Sequence, residues 1–148
     1  MDLPGHLAAV DALRARPFPA RRERSGAVVS GPGFHVADLR ISEDFWDADA
    51  DAECRRRAQD DLEAECQALI ELLSLRWGEP ETVDLGGHLE RSFHGEPVPP
   101  PLDTLCGCAS EAWAWRVEDR WIGVCVGQWG PELPFQLVAA VGDAGAVP

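Results

Sequence analysis

The sequence predicts an α+β domain: a mostly antiparallel sheet of about five to six strands, with one long amphipathic helix packed across one face in a second layer. The stretch from Asp47 to Trp77 holds no glycine or proline and is dense in good helix formers. Segments that alternate apolar and polar residues lie on either side of it, and tight turns between them favour antiparallel pairing. We expect a single domain, 1–148, because two packed domains need a longer chain.

The N-terminal helix is predicted over about 3–16, and Pro17 ends it. Its apolar face repeats every three or four residues and consists of Leu3, Leu7, Val10 and Leu13. The arginine-rich stretch over 16–24 is typical of a surface connector. Residues 26–30 and 34–41 are then predicted to form a hairpin around a Gly-Pro-Gly turn.

The stretch from Asp47 to Trp77 is predicted to be one uninterrupted helix. Its apolar stripe repeats at helical spacing and consists of Ala58, Leu62, Cys66, Leu69, Leu73 and Trp77. Most of the acidic side chains fall away from this stripe, so we expect them to face water. Gly78 is placed to end the helix, and Pro80 prevents its continuation.

The remainder of the chain predicts mainly strands. The expected elements are, in order, a strand at 81–85, a short helix at 88–93, a proline-rich loop at 95–101, a hairpin of 112–117 with 121–129, a buried strand at 135–141 and a frayed tail at about 143–148. Consecutive strands joined by short turns support the antiparallel sheet.

The chain is strongly acidic. It has 26 acidic residues against 13 basic ones, all of them arginine, which gives a formal net charge of −13. Phosphate binding needs neutralising basic residues, so this balance argues against nucleic acid and anionic membranes as partners. Residues 38–71 hold twelve acidic residues and four arginines, so over half of the excess charge lies on the long helix and its approach.

The composition also bears on origin and compartment. The chain lacks lysine and asparagine and has only three isoleucines, which indicates a GC-rich bacterial genome. Asp2 stands where a secretory signal needs positive charge, and no apolar stretch reaches the roughly 20 residues of a membrane span. We therefore expect a cytoplasmic protein in which the five cysteines are thiols.

One group of residues has the chemistry of a zinc site. Cys106 and Cys108 follow His88 and His94, and thiolate and imidazole are the ligands that zinc prefers. A single residue between the cysteines is tighter than the usual spacing, however, and a proline-rich loop separates them from the histidines. We therefore predict neither a metal nor a cofactor, and these four residues are the set that would bind zinc if a site existed.

The tryptophans of the C-terminal hairpin suggest an aromatic surface. Alternation along the second strand places Trp121 and Trp129 opposite Ile122, Val124 and Val126. One of these two faces should be partly exposed, because both cannot pack under a single helix. Glycines between the two tryptophans would allow a partner or a ligand ring to approach closely.

Two classes of function fit the sequence. The first is a small binding protein that masks a basic protein partner, as immunity proteins, antitoxins and secretion chaperones do. Its expected partner-binding residues are Asp60, Asp61, Glu63, Glu71, Trp121 and Trp129. The alternative is a small enzyme or ligand-binding domain with a pocket between sheet and helix, which would use His35 or the set His88, Glu90 and His94. The binding protein is favoured, because no nucleophile or phosphate-binding motif is present.

Overall fold

The computed structural model describes residues 2–42, 52–130 and 133–148. The helices in these ranges are α1 (Leu3–Ala15), α2 (Ala52–Trp77), α3 (Leu85–Phe93) and α4 (Leu102–Leu105). The strands are β1 (Glu23–Ser25), β2 (Val28–Gly31), β3 (Phe34–Ile41), β4 (Glu81–Asp84), β5 (Glu111–Val117), β6 (Arg120–Gln128) and β7 (Phe135–Asp143).

The seven strands form one antiparallel sheet in the order β1-β2-β3-β7-β6-β5-β4. The first three strands form a meander, and α2 then carries the chain to the opposite edge of the sheet. From β4 the strands return inward, so that β7 pairs with β3 and joins the two halves. This arrangement confirms the predicted α+β class, with slightly more strands than expected.

The additional strand is β1, which lies in the stretch predicted to be a connector. Glu23 pairs with Ser30 and Ser25 with Val28, and Gly26 takes the positive φ of 60° that the turn between the strands requires. All three residues of β1 are exposed. Charged residues are common on exposed edge strands because they prevent pairing with other chains. A strand of this composition shows no apolar alternation, so the sequence pattern does not predict it.

The two principal helices begin and end at recognisable signals. The carboxylate of Asp2 caps α1 by accepting from the Gly5 amide at 3.0 Å, and the helix agrees closely with its predicted range. The helix α2 runs unbroken through 26 residues, about 39 Å, and Gly78 with φ of 85° follows its last residue. The predicted start at Asp47 lies outside the described residues.

Both faces of the sheet are covered. On one face, α1 and α2 enclose a core that includes Val10, Leu69, Leu73, Ile122 and Leu137. On the other face, α3, α4 and the C-terminal tail enclose a second core built around Trp121, with Leu85, Leu102, Leu105 and Val147. The sequence predicts the short helix at 88–93 but not a second helical layer, because helices as short as α3 and α4 show no periodic stripe that would place them on a face of the sheet.

The C-terminal residues 143–148, for which the sequence predicts fraying, contact the second core. Val147 is buried. The guanidinium of Arg116 donates to the carbonyl oxygens of Ala144, Val147 and Pro148 at 2.8 to 3.0 Å. None of the helices that the structure describes is long and apolar enough to cross a membrane.

Candidate functional site

The acidic side chains of α2 lie on different sides of the helix. Asp60, Asp61, Glu63 and Glu71 are all exposed, and none of them is in an ion pair with another described residue. Successive residues of an α-helix are about 100° apart. Asp60 and Glu71 therefore share the flank next to Glu63, whereas Asp61 projects from the opposite flank.

A groove of about 390 Å³ runs beside α2, between the helix and one end of the sheet. One wall consists of residues that share a flank of α2, and the other comes from residues before β5 and from the ends of β5, β6 and β7. The residues are Gln59, Glu63, Cys66, Gln67 and Ile70 on the helix, and Cys108, Ala109, Ser110, Glu111, Trp113, Val126, Gly127, Gln128 and Phe135 opposite.

The groove has a polar rim and an apolar floor. Gln59, Glu63, Gln67, Ser110 and Glu111 are exposed. Cys66, Ile70 and Phe135 are buried, and Trp113 and Val126 are partly buried against the core under α2. The described lining includes the two carboxylates of Glu63 and Glu111 but no arginine, lysine or histidine. Its formal charge at neutral pH is therefore negative.

Two thiols line the groove, but neither has the environment of a nucleophile. Burial raises the pKa of the Cys66 thiol to about 12, with a contribution from the charge of Glu63. Burial also raises the pKa of Cys108 to about 11. Since the thiolate is the reactive form of cysteine, these raised pKa values keep both side chains in the unreactive thiol form at neutral pH.

The structure separates the two tryptophans predicted to form one partner-binding surface. Trp121 is not available to a partner, contrary to the prediction. Its side chain is fully buried in the second core, because α3, α4 and the tail cover that face of β6. Trp129 is 47% exposed, and its indole Nε1 donates to Gln136 Oε1 at 2.8 Å. The predicted alternation of β6 is correct, since Ile122 and Val124 pack on the opposite face, under α2.

His35 is a structural residue of β3. Its Nε2 donates to the carbonyl oxygen of Arg16 at 3.0 Å, which leaves Nδ1 to accept from the Ser30 hydroxyl at 2.6 Å. The ring is fully buried, and burial lowers its pKa. Phe18 packs beside it at 5.0 Å between ring centroids. Neutral His35 thus fastens the segment after α1 to the sheet, and it does not line the groove.

The set His88, Glu90 and His94 does not converge. His88 and Glu90 are two residues apart on α3 and therefore about 200° apart around it, and His94 is the residue that caps its end. His88 Nδ1 accepts from Arg91 at 3.1 Å, and burial, together with the Arg91 charge, lowers its pKa. None of the three lines the groove.

Cys106 and Cys108 are likewise not arranged with the histidines as ligands. The Cys106 thiol donates to the Leu85 carbonyl at 3.3 Å, and the Cys108 thiol donates to the Leu105 carbonyl at 3.5 Å. Cys108 also packs over Gly127, where a β-carbon would lie 2.7 Å from its sulfur. Within the described ranges, no group of three or more histidine, cysteine, aspartate or glutamate side chains could hold a metal ion.

The structure contains a buried ionic cluster that the sequence does not predict. Glu65 of α2 is fully buried, and its carboxylate accepts from Arg40 of β3 at 2.7 Å and from His6 of α1 at 3.1 Å. The cluster borders a second cavity, of about 360 Å³. One signal does point to it in the sequence: Glu65 lies three residues after Leu62 and four before Leu69, and is therefore on the apolar stripe.

Glu65 predicts a specific pH dependence of stability. Burial alone would raise its pKa, but the bonds from Arg40 and His6 prevail and hold the pKa below its ordinary value of 4.5. The unfolded chain therefore binds this proton more readily than the folded one. The stability that Glu65 contributes is complete above about pH 4.5 and is lost as the pH falls through the lower folded pKa.

This dependence can be measured by urea denaturation at a series of pH values. Between roughly pH 6 and pH 3, we expect the unfolding free energy of the wild type to fall more steeply than that of Glu65→Gln, which keeps the size of the side chain but cannot ionise. Equal slopes for the two proteins would show that Glu65 does not titrate with folding.

Comparisons of the chain with protein-family models, with curated proteins and with solved structures gave no match.

Proposed function

We propose that the protein binds a basic protein partner through the groove and the adjoining acidic flank of α2, and thereby masks the partner's basic surface. The observation that carries this proposal is the charge of the groove: Glu63 and Glu111 line it, and the described lining holds no basic side chain to neutralise them. Asp60 and Glu71 extend the negative charge along the helix. The net charge of −13 attracts a basic partner from a distance.

The shape of the groove supports a protein ligand. Its buried apolar floor gives a partner side chain a place to lose contact with water, and its exposed polar rim resembles the border of a protein interface. Trp129 and Leu133, which are 47% and 37% exposed, are close in the chain to the groove residues Gln128 and Phe135.

A second function, ligand binding or catalysis in a pocket between sheet and helix, has one observation in its favour. The groove does lie at that junction. It contains neither His35 nor the α3 set, however, and the thiols Cys66 and Cys108 are protonated at neutral pH. Because the described lining holds no histidine and neither thiol is a ready nucleophile, binding is the better-supported activity.

Charge reversal on α2 tests the proposal. The probe is a short fluorescein-labelled peptide that alternates arginine and leucine, and its anisotropy is measured at low and at physiological salt. We expect Glu63→Lys to weaken binding about tenfold or more, because it places a positive charge in the groove wall. Asp61→Lys, which makes the same charge change on the opposite flank, should weaken it far less.

The two variants distinguish an effect of the position of the charge from an effect of the net charge of the protein. If both variants weaken binding equally, long-range attraction alone holds the peptide and the groove is not the site. A peptide with glutamate in place of each arginine should not bind. Absence of binding by the wild type at low salt, where electrostatic attraction is strongest, would overturn the proposal.

A further inference from the structure

We infer that the groove accepts an arginine side chain of the partner and discriminates against lysine. This inference rests on the proposed function and specifies the side chain that the groove recognises. Three features of the groove carry it: the number of oxygen acceptors on its rim, the aromatic and apolar surface below them, and its small volume.

The rim offers several oxygen acceptors. The carboxylates of Glu63 and Glu111 lie in one lining with the Ser110 hydroxyl and the Gln67 amide. Gln59 donates to Oε1 of Glu63 at 2.9 Å, which leaves Oε2 of that carboxylate for a ligand. A guanidinium has five N–H donors in a fixed planar fork, so it can use acceptors spread along a rim, whereas a compact ammonium is satisfied by one carboxylate and water.

The floor below the rim suits the rest of an arginine side chain. Cys66 and Ile70 are 2% and 6% exposed, and they form an apolar surface for the methylene stem. The partly buried indole of Trp113 lies in the same lining. Guanidinium groups stack on aromatic rings and are more weakly hydrated than ammonium groups, so burial beside Trp113 costs arginine less than lysine.

The volume and the surroundings indicate that the arginine belongs to a protein. A groove of about 390 Å³ is at the small end of the range for ligand pockets, roughly 300–1,000 Å³, and suits one or two side chains. Asp60 and Glu71 continue the negative charge beyond the groove on the neighbouring flank of α2. Residues next to the arginine in a basic chain would meet them, and free arginine would not.

The test compares three probes on the same protein: the arginine–leucine peptide, the same peptide with lysine at each arginine, and N-acetylarginine amide. We expect the arginine peptide to bind about tenfold or more tightly than the lysine peptide, and the small amide to bind far more weakly than either. The indole N–H signal of Trp113, assigned in NMR spectra with Trp113→Phe, should shift with the arginine peptide.

Two variants make the test specific. Trp113→Leu should abolish the preference for arginine while lysine-peptide binding is retained, and Trp113→Phe should keep part of the preference. Circular dichroism checks that both variants fold. Glu111→Gln removes one carboxylate charge from the rim and tests its part in binding independently of Trp113.

Equal affinities for the arginine and lysine peptides would overturn the arginine inference and leave the proposed function standing. Binding of the free amide as tight as that of the peptide would overturn the assignment to a protein partner, and no binding by either peptide would overturn the proposed function itself.

Discussion

Replacing Arg40 by alanine is expected to lower the free energy of unfolding by about 3 kcal/mol, more than removal of its partner Glu65 does. The two members of this ion pair differ in exposure: the Arg40 side chain is 43% exposed and that of Glu65 is fully buried. Without Arg40, the buried carboxylate keeps only His6 as a partner. Without Glu65, the guanidinium can turn towards water, so no buried charge is left uncompensated.

The asymmetry can be measured by urea denaturation at neutral pH. We expect Glu65→Met, which replaces the carboxylate by an apolar side chain of similar size, to cost about 1 kcal/mol or less. The double variant with Arg40→Ala should be closer in stability to Glu65→Met than to Arg40→Ala. Arg57→Ala is the control: it breaks an exposed pair with Glu53 and should change stability by less than about 0.5 kcal/mol. A larger loss of unfolding free energy in Glu65→Met than in Arg40→Ala would contradict this prediction, because it would show that the cost does not come from leaving the buried carboxylate without its partner.

Gly123→Ala is expected to destabilise the protein by about 1–3 kcal/mol through overpacking. Gly123 lies in β6, an interior strand of the sheet, between Ala114 of β5 and Ala140 of β7. The indole of Trp121 lies directly over it, and a β-carbon at this position would be 2.8 Å from Cζ3 of that ring. Because Trp121 is fully buried, the ring can move away only by displacing its neighbours in the second core.

A matched glycine replacement separates this clash from a general effect on the backbone. Gly86 is exposed at the start of α3, and alanine there should be neutral or slightly stabilising, because alanine favours helix. Trp121→Phe should restore part of the loss in Gly123→Ala, since it removes ring atoms that clash. It sacrifices no hydrogen bond within the described residues, where Trp121 Nε1 has no partner. If Gly123→Ala and Gly86→Ala have equal unfolding free energies, the packing of Trp121 tolerates a β-carbon at position 123 and the prediction is wrong.

Sequence patterns located most elements but little of the candidate site. Alternation identified β3, β5 and β6, a continuous apolar run identified β7 as a buried strand, and the long stripe identified α2. Of the residues that line the groove, Glu63 was named as a partner-binding residue, from its charge and its position off the stripe, and Cys108 was named only as a possible zinc ligand. Glu111 and Trp113 come from the opposite wall, and no local pattern indicates that a strand end lies beside a particular turn of a helix.

The sequence by itself determined the class of the fold, the course of α1 and α2, and the excess of negative charge, because these depend on composition and on short-range periodicity. Tertiary structure alone decided the pairing of β7 with β3, the burial of Trp121 and Glu65, and the meeting of Glu63 with Glu111 across a groove. The physical reason is that such contacts join residues far apart in the chain. The energy of these contacts depends on which helix or strand packs against which face of the sheet. The periodicity of one segment shows its apolar face but not the element that packs against that face.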